Sequence, residues 1–269
     1  MFELSKHEYY KVKFLIETGY NHPEIVSIIE QNNPGWIFID DKLIPETALV
    51  WSKGIKGFYL IGNENNHDFL KDINENITTI IAPRMRGMGL DYFEASGNSG
   101  KWKLDDIFSS RVINRWGQFV YKYVDSKEKL IISEIDGYNF ITLGKREFIN
   151  EEFKRKELLQ SHINLFWDSE EQFLSKGFGC IALEGDEIVG ICYSSFITNE
   201  THAIGVETLT EHQRKGIGYQ LAARVVNEII ENGYTAYWDC SMDNEGSIKL
   251  AEKLGFDKDH QYSCIGFPI

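Results

Sequence analysis

The run Gln213-Arg214-Lys215-Gly216-Ile217-Gly218 stands between an extended β-branched segment and a long amphipathic stretch, and it restricts the fold more than any other part of the chain. Two glycines two apart let a backbone turn tightly and bring its amides close to a ligand. A helix beginning there adds unpaired N-terminal amides and the positive end of its dipole, which favour an anion such as a pyrophosphate. Arg214 and Lys215 add formal charge at the same point. The helix itself is predicted from Ile217, Leu221, Ala222, Val225, Val226, Ile229 and Ile230, which recur at spacings of three and four and end at Asn232-Gly233. Residues 202–209 and 234–239 have strand composition, so the order is strand, basic glycine loop, helix, strand.

Three phosphate-binding loops share that order. A P-loop needs Lys-Ser/Thr after the second glycine, where this chain has Tyr219-Gln220. A dinucleotide fingerprint needs a third small residue where Leu221 stands, although Asp239 lies near the expected acidic position. The third pattern, Gln/Arg-x-x-Gly-x-Gly/Ala, is met by Gln213, Gly216 and Gly218, and the segment resembles motif A of the GCN5-related N-acetyltransferases (GNAT). The stretch from Asn244 to Phe256 resembles the family's motif B helix, with its Asn start and its Leu254-Gly255-Phe256 end. Asn244 also suits a helix N-cap, and Gly255 a left-handed stop. Trp167 to Gly179 and Trp238-Asp239-Cys240 are similar to a two-domain bacterial branch that includes zwittermicin-resistance-type acetyltransferases.

The resemblance covers residues 145–269 and implies an α/β GNAT fold with a mixed sheet there, acetyl-CoA as cosubstrate, an amine acceptor, direct transfer and no metal. It implies main-chain contacts to pantetheine from Val206, Glu207 and Thr208, a pyrophosphate cradle from Gln213, Arg214, Lys215, Gly216, Ile217, Gly218 and Tyr219, and a contact from Asn244. For the catalytic base it offers Asp239, on the strand before motif B, and His202 or Glu207, on the strand before the loop. Alternation sets Glu207 on the opposite face from Val206 and Thr208. The family's acidic tyrosine on motif B is replaced by Ala251, so no phenol comes from that position.

Residues 1–144 form a second α/β domain in this reading. A helix at 22–30, strands at 36–39, 47–51 and 58–61, and a helix near 67–77 repeat the series of the second half, with turns at 40–42 and 184–186 in equivalent places. The N-terminal half therefore reads as a degenerate GNAT-like copy, a reading that an all-helical half would overturn. It lacks the glycine loop after 58–61. Arg84-Met85-Arg86-Gly87-Met88-Gly89 has the loop spacing, but residues 90–100 support no long helix after it, so it is expected to be a surface turn.

Charge and cysteines narrow the function further. The net charge of −13 is uneven: residues 1–145 carry 17 Lys+Arg against 20 Asp+Glu, and residues 146–269 carry 11 against 21. An acidic catalytic half disfavours nucleic acid and anionic membrane and draws a small cationic amine. Cys180, Cys192, Cys240 and Cys264 lack zinc or disulfide spacing and are expected to be buried thiols. No signal peptide or membrane span is evident, which makes the cytoplasm the expected compartment and a monomer or homodimer the expected state. Two other readings stay open: a CoA-binding sensor with little turnover, and a protein or peptide N-acetyltransferase.

Overall fold

The computed structural model describes residues 1–17, 19–124, 128–143 and 153–269, which form two compact units, residues 1–118 with 261–269 and residues 119–260. Gly144, the predicted domain boundary, lies outside the described residues. Both units are α/β.

In unit 1 the strands are β1 (Phe2–Glu3), β2 (Gly35–Ile39), β3 (Thr47–Ser52), β4 (Gly57–Gly62) and β5 (Tyr92–Gly97). β1 to β4 are antiparallel neighbours in sequence order, β5 pairs parallel with β4, and residues 264–268 run antiparallel along β5. The helices are α1 (Pro23–Ile29), α2 (His67–Asn76), α3 (Ala82–Gly87) and α4 (Leu104–Ile107). The sheet has apolar cores on both faces, one around Phe58, Leu60 and Phe93, the other around Ile37, Val50 and Tyr59. That explains why β2 to β4 read as continuous apolar runs.

Residues 77–81 are π-helical and join α2 to α3. Phe69, Ile73, Ile77 and Ile81 are all buried at a strict spacing of four. A 3.6-residue turn would carry such a row off the sheet, and the wider π turn keeps it there.

The loop-like run 84–89, expected to be a surface turn, is the last part of a helix and the turn that follows it. It closes α3, Gly89 takes φ +76, and Arg84 lies 3.5 Å over the Trp36 ring and 2.7 Å from Glu3. A helix C-terminus presents carbonyls and the negative end of the dipole, the wrong polarity for a phosphate.

Unit 2 carries α5 (Lys156–Phe166), α6 (Glu170–Lys176), α7 (Ile217–Glu231) and α8 (Glu245–Lys253). Its sheet has the order β11-β10-β9-β8-β7, from β7 (Asn139–Thr142), β8 (Gly179–Glu184), β9 (Glu187–Ile197), β10 (Thr201–Thr208) and β11 (Thr235–Ser241). β7 to β10 are antiparallel and β11 is parallel to β10. The chain passes between the units within β6 (Asn114–Tyr123) and β12 (Asp257–Pro268).

One face of this sheet packs Leu221, Val225 and Ile229 of α7 with Ala251 of α8. The other packs Leu159 and Ile163 of α5 with Phe173 of α6. Trp167 and Trp238 are 1% and 3% exposed and belong to these two cores. α5 and α6 were not evident from the sequence. Ser169 caps α6 by accepting from the Gln172 amide at 3.1 Å.

Candidate active site

The site begins with a fork between β10 and β11. Their parallel ladder contains Thr201↔Thr235, His202↔Ala236 and Ala203↔Tyr237, and it ends there although both strands continue. A β-bulge between Ala203 and Ile204 re-aims β10 at that point. Among the described residues, no strand pairs with the β11 side of residues 204–208, and a backbone edge left open in this way suits an extended, amide-bearing ligand.

At the end of β10 the backbone folds into a cradle. Arg214 and Gly216 both take positive φ, +62 and +87, and this alternation gathers successive amides into an anion-binding concavity. Gly216 is the N-cap of α7 and offers no side-chain oxygen, so the first helical amides stay open. Gln213 ties the loop back to β10, its Nε2 donating to the Thr208 carbonyl at 3.0 Å. The cavity is about 610 Å³, and Val206, Thr208, Gln213, Arg214, Gly216, Ile217, Gly218, Tyr219 and Asn244 all line it. Asn244 caps α8, accepting from the Ser247 amide at 3.1 Å.

Two of the expected cofactor residues point elsewhere. The Lys215 ammonium donates to the Tyr138 hydroxyl at 2.8 Å, and that bond raises its pKa. Glu207 lies on the α5 side, where its Oε2 is 2.7 Å from His162 Nε2. Its main chain remains part of the fork edge. His212, Gly246, Leu250 and Lys253, which sequence did not assign to the site, also line the cavity, as does Ser247. Three of these had a signal: Gly246, Leu250 and Lys253 stand four and three apart on α8, a spacing that puts them on one face of the helix. Lys253 Nζ is 5.2 Å from the Tyr219 ring centre.

The remaining candidates divide by environment. His202 is 2% exposed, with Nδ1 3.0 Å from Ser194 Oγ and its ring between Phe178 and Tyr234; burial pulls its pKa down to about 4. Asp239 is half-buried on β11, and alternation sets it on the opposite face from Trp238 and Cys240. It does not line the cavity. Trp238 and Cys240 belong to the α7 and α8 core, where Trp238 Nε1 donates to Ser247 Oγ at 2.9 Å. Ala251 is fully buried in the same core. The four cysteines are free and buried, and burial raises the pKa values of the Cys180, Cys192 and Cys240 thiols.

A strand fork leading to a positive-φ loop and an uncapped helix is a site for a long ligand with an anionic end, and comparison with known proteins agrees. The GNAT acetyltransferase family model matches residues 13–265. The chain belongs to the GNAT acetyltransferase family. It is therefore an acetyl-CoA-dependent acetyltransferase. A curated relative from Bacillus subtilis (strain 168), the uncharacterized N-acetyltransferase YdfB, is 26% identical over 269 residues, 97% of this chain and 96% of the relative. A GCN5-related N-acetyltransferase-like protein from Streptococcus suis 89/1591 superposes with TM-score 0.63 at 20% identity, covering 96% of this chain and 98% of its own. A tandem GNAT protein from the clavulanic acid biosynthesis pathway gives TM-score 0.64 at 11% identity, covering 99% and 97%. Those two likenesses concern the fold, and the tandem protein matches both α/β units of this chain. Among the described residues no helix is long and apolar enough to cross a membrane.

Proposed function

We propose that this GNAT protein transfers the acetyl group of acetyl-CoA directly to the amine of a small cationic acceptor. The observation that carries the reading is the pairing of an open fork and cradle on one side of β10 with a carboxylate, Glu207, on the other. The cradle amides, Arg214 and the α7 N-terminus suit the pyrophosphate, and the edge of residues 204–208 suits the pantetheine amides. Glu207, whose side chain is 45% exposed, is the group we assign as base. It removes a proton from the ammonium so that the nitrogen lone pair can attack the thioester carbonyl. His202 is assigned to packing, because its buried ring is already engaged with Ser194. Direct transfer is favoured over an acyl-enzyme because burial holds the thiol on β11, Cys240, in its protonated form. The acidic balance of residues 146–269 supports a cationic acceptor.

The test is release of CoA thiol from acetyl-CoA against polyamines, aminoglycosides, aminopolyols, amino acids and short peptides. Turnover with one cationic small-molecule class is expected. Turnover with peptides alone would replace the acceptor class, and acetyl-CoA binding without turnover on any class would favour a sensor. Glu207→Gln is expected to lower kcat by ~10²–10⁴-fold. Asp239→Asn, run alongside, is expected to change it less; the reverse order would make Asp239 the base.

A further inference from the structure

On the α5 side of the fork, three side chains from three elements form one hydrogen-bonded chain. His162 of α5 sits on the helix's apolar stripe with Leu159, Ile163 and Phe166, a place where a polar ring needs partners. Both ring nitrogens have one: Nε2 is 2.7 Å from Glu207 Oε2 on β10, and Nδ1 is 3.0 Å from the Tyr193 hydroxyl on β9. Tyr193 pairs in register with Gly205, and a Cβ at Gly205 would lie 2.8 Å from the tyrosine ring and hydroxyl. Glycine at 205 thus lets the ring cross β10 just beyond the bulge, where the ladder to β11 has ended. Among the described residues, Glu207 and Tyr193 are the titratable groups in contact with His162.

The polarity of the chain follows from its carboxylate end. Glu207 Oε2 can only accept, so the proton of the neutral His162 ring sits on Nε2, facing it. Nδ1 is then an acceptor, and the Tyr193 hydroxyl, 3% exposed and kept protonated by burial, donates to it.

We propose that Tyr193 and His162 are positioning residues for the acetyl-transfer reaction: Tyr193 fixes the Nε2–H tautomer of His162, and that N–H holds Glu207 Oε2 so that Oε1 is left to meet the acceptor amine. This rests on the reading of Glu207 as the base. One ammonium proton passes to the Glu207 carboxylate and the neutral amine forms the C–N bond. The C–S bond breaks, and the nitrogen's second proton leaves with the sulfur as CoA thiol. Glu207 then returns its proton to solvent.

The inference is tested by imidazole ¹⁵N–¹H NMR of the full chain, with the His162 signals assigned by their loss in His162→Gln, together with steady-state kinetics. The neutral ring is expected in the Nε2–H form, and Tyr193→Phe is expected to mix the tautomers. A Nδ1–H ring in the wild type overturns the proposal. His162→Ala is expected to lower kcat ~10–100-fold with KM for acetyl-CoA unchanged, as misplacement of a catalytic group does. His162→Gln, which keeps an N–H donor, and added imidazole on His162→Ala should each restore part of the loss. Wild-type kcat in both His162 variants overturns the positioning role. If no acceptor is turned over, the proposed function fails by itself, and the tautomer still decides the inference.

Discussion

The two units contain the same series of elements, yet among the described residues only the second ends in an open strand fork. Each has antiparallel strands, a helix and a strand that returns parallel: β2-β3-β4, α2 and β5 in unit 1, β8-β9-β10, α7 and β11 in unit 2. In unit 2 the parallel pairing occupies the N-terminal ends of both strands, so their C-terminal ends diverge. In unit 1 it runs through Leu60↔Gly97 to the end of β5 and is extended by the Asn98 amide donating to the Leu60 carbonyl at 3.0 Å. Trp102 then covers the exit, because a Cβ on Gly97 would lie 2.2 Å from its ring. The turns differ in the same direction. Asn66 caps α2 with its own side chain, accepting from the Phe69 amide at 3.1 Å, and its Nδ2 donates to Asp40 Oδ2 at 2.6 Å. A capped helix with a carboxylate beside it offers nothing to a phosphate, whereas Gly216 leaves the α7 amides open. A shared fold therefore supports the site without specifying it; the fork and the cap decide.

The largest expected effect breaks the cradle alone. Gly218 has no positive φ, and a Cβ there would make ordinary contacts, 3.5 Å to Thr208 Oγ1 and 3.6 Å to Leu250. Gly218→Val should weaken acetyl-CoA binding by ~100-fold or more, about 2.7 kcal/mol, measured by calorimetry. Its melting temperature should fall only slightly. Gly216→Val is the poorer test, since φ +87 adds backbone strain to the lost contact. Unchanged affinity in folded Gly218→Val would refute the assignment of the cradle.

Much of this was legible in the sequence, for reasons that differ by element. α7 has a complete apolar stripe and a glycine start, and Asn244 and Gly255 mark both ends of α8, so local signals agree with the fold. The strands of unit 1 were legible too, being apolar along their whole length. What was hidden depends on distance in space. The fork is a failure of pairing between strands more than thirty residues apart, and nothing local announces it. His162 looks like an ordinary polar residue on α5 until β9 and β10 bring Tyr193 and Glu207 to it. The run 84–89 shows the use of context: its glycine spacing matches the loop, but residues 90–100 announce no long helix after it, and the structure makes it a helix end.

A second effect, which develops only as pH falls, is confined to unit 2. His202 has a folded pKa of about 4, lowered from 6.5 by burial, so the unfolded chain binds its proton more readily. Stability from this residue is complete above about pH 6.5 and is lost as pH falls from there toward 4. The full loss is on the order of 3 kcal/mol. His202→Gln should therefore flatten the dependence of the urea midpoint on pH between 7 and 4. An equally steep dependence in that variant would remove His202 as its source.

The smallest effect separates the two helix starts most finely, because both use an asparagine. Asn66 accepts from the Phe69 amide and Asn244 from the Ser247 amide, each at 3.1 Å, so removing either cap should cost about 1 kcal/mol of stability. Only Asn244 also lines the cavity. Asn66→Ala should thus lower the urea midpoint and leave acetyl-CoA affinity at the wild-type value, while Asn244→Ala should lower both. Asn244→Ser restores a capping oxygen and is expected to recover stability, which leaves any remaining loss of affinity to the contact itself. If Asn66→Ala weakened acetyl-CoA binding as much as Asn244→Ala does, the closed turn of unit 1 would have a part in the site, and the contrast between the two starts would fail.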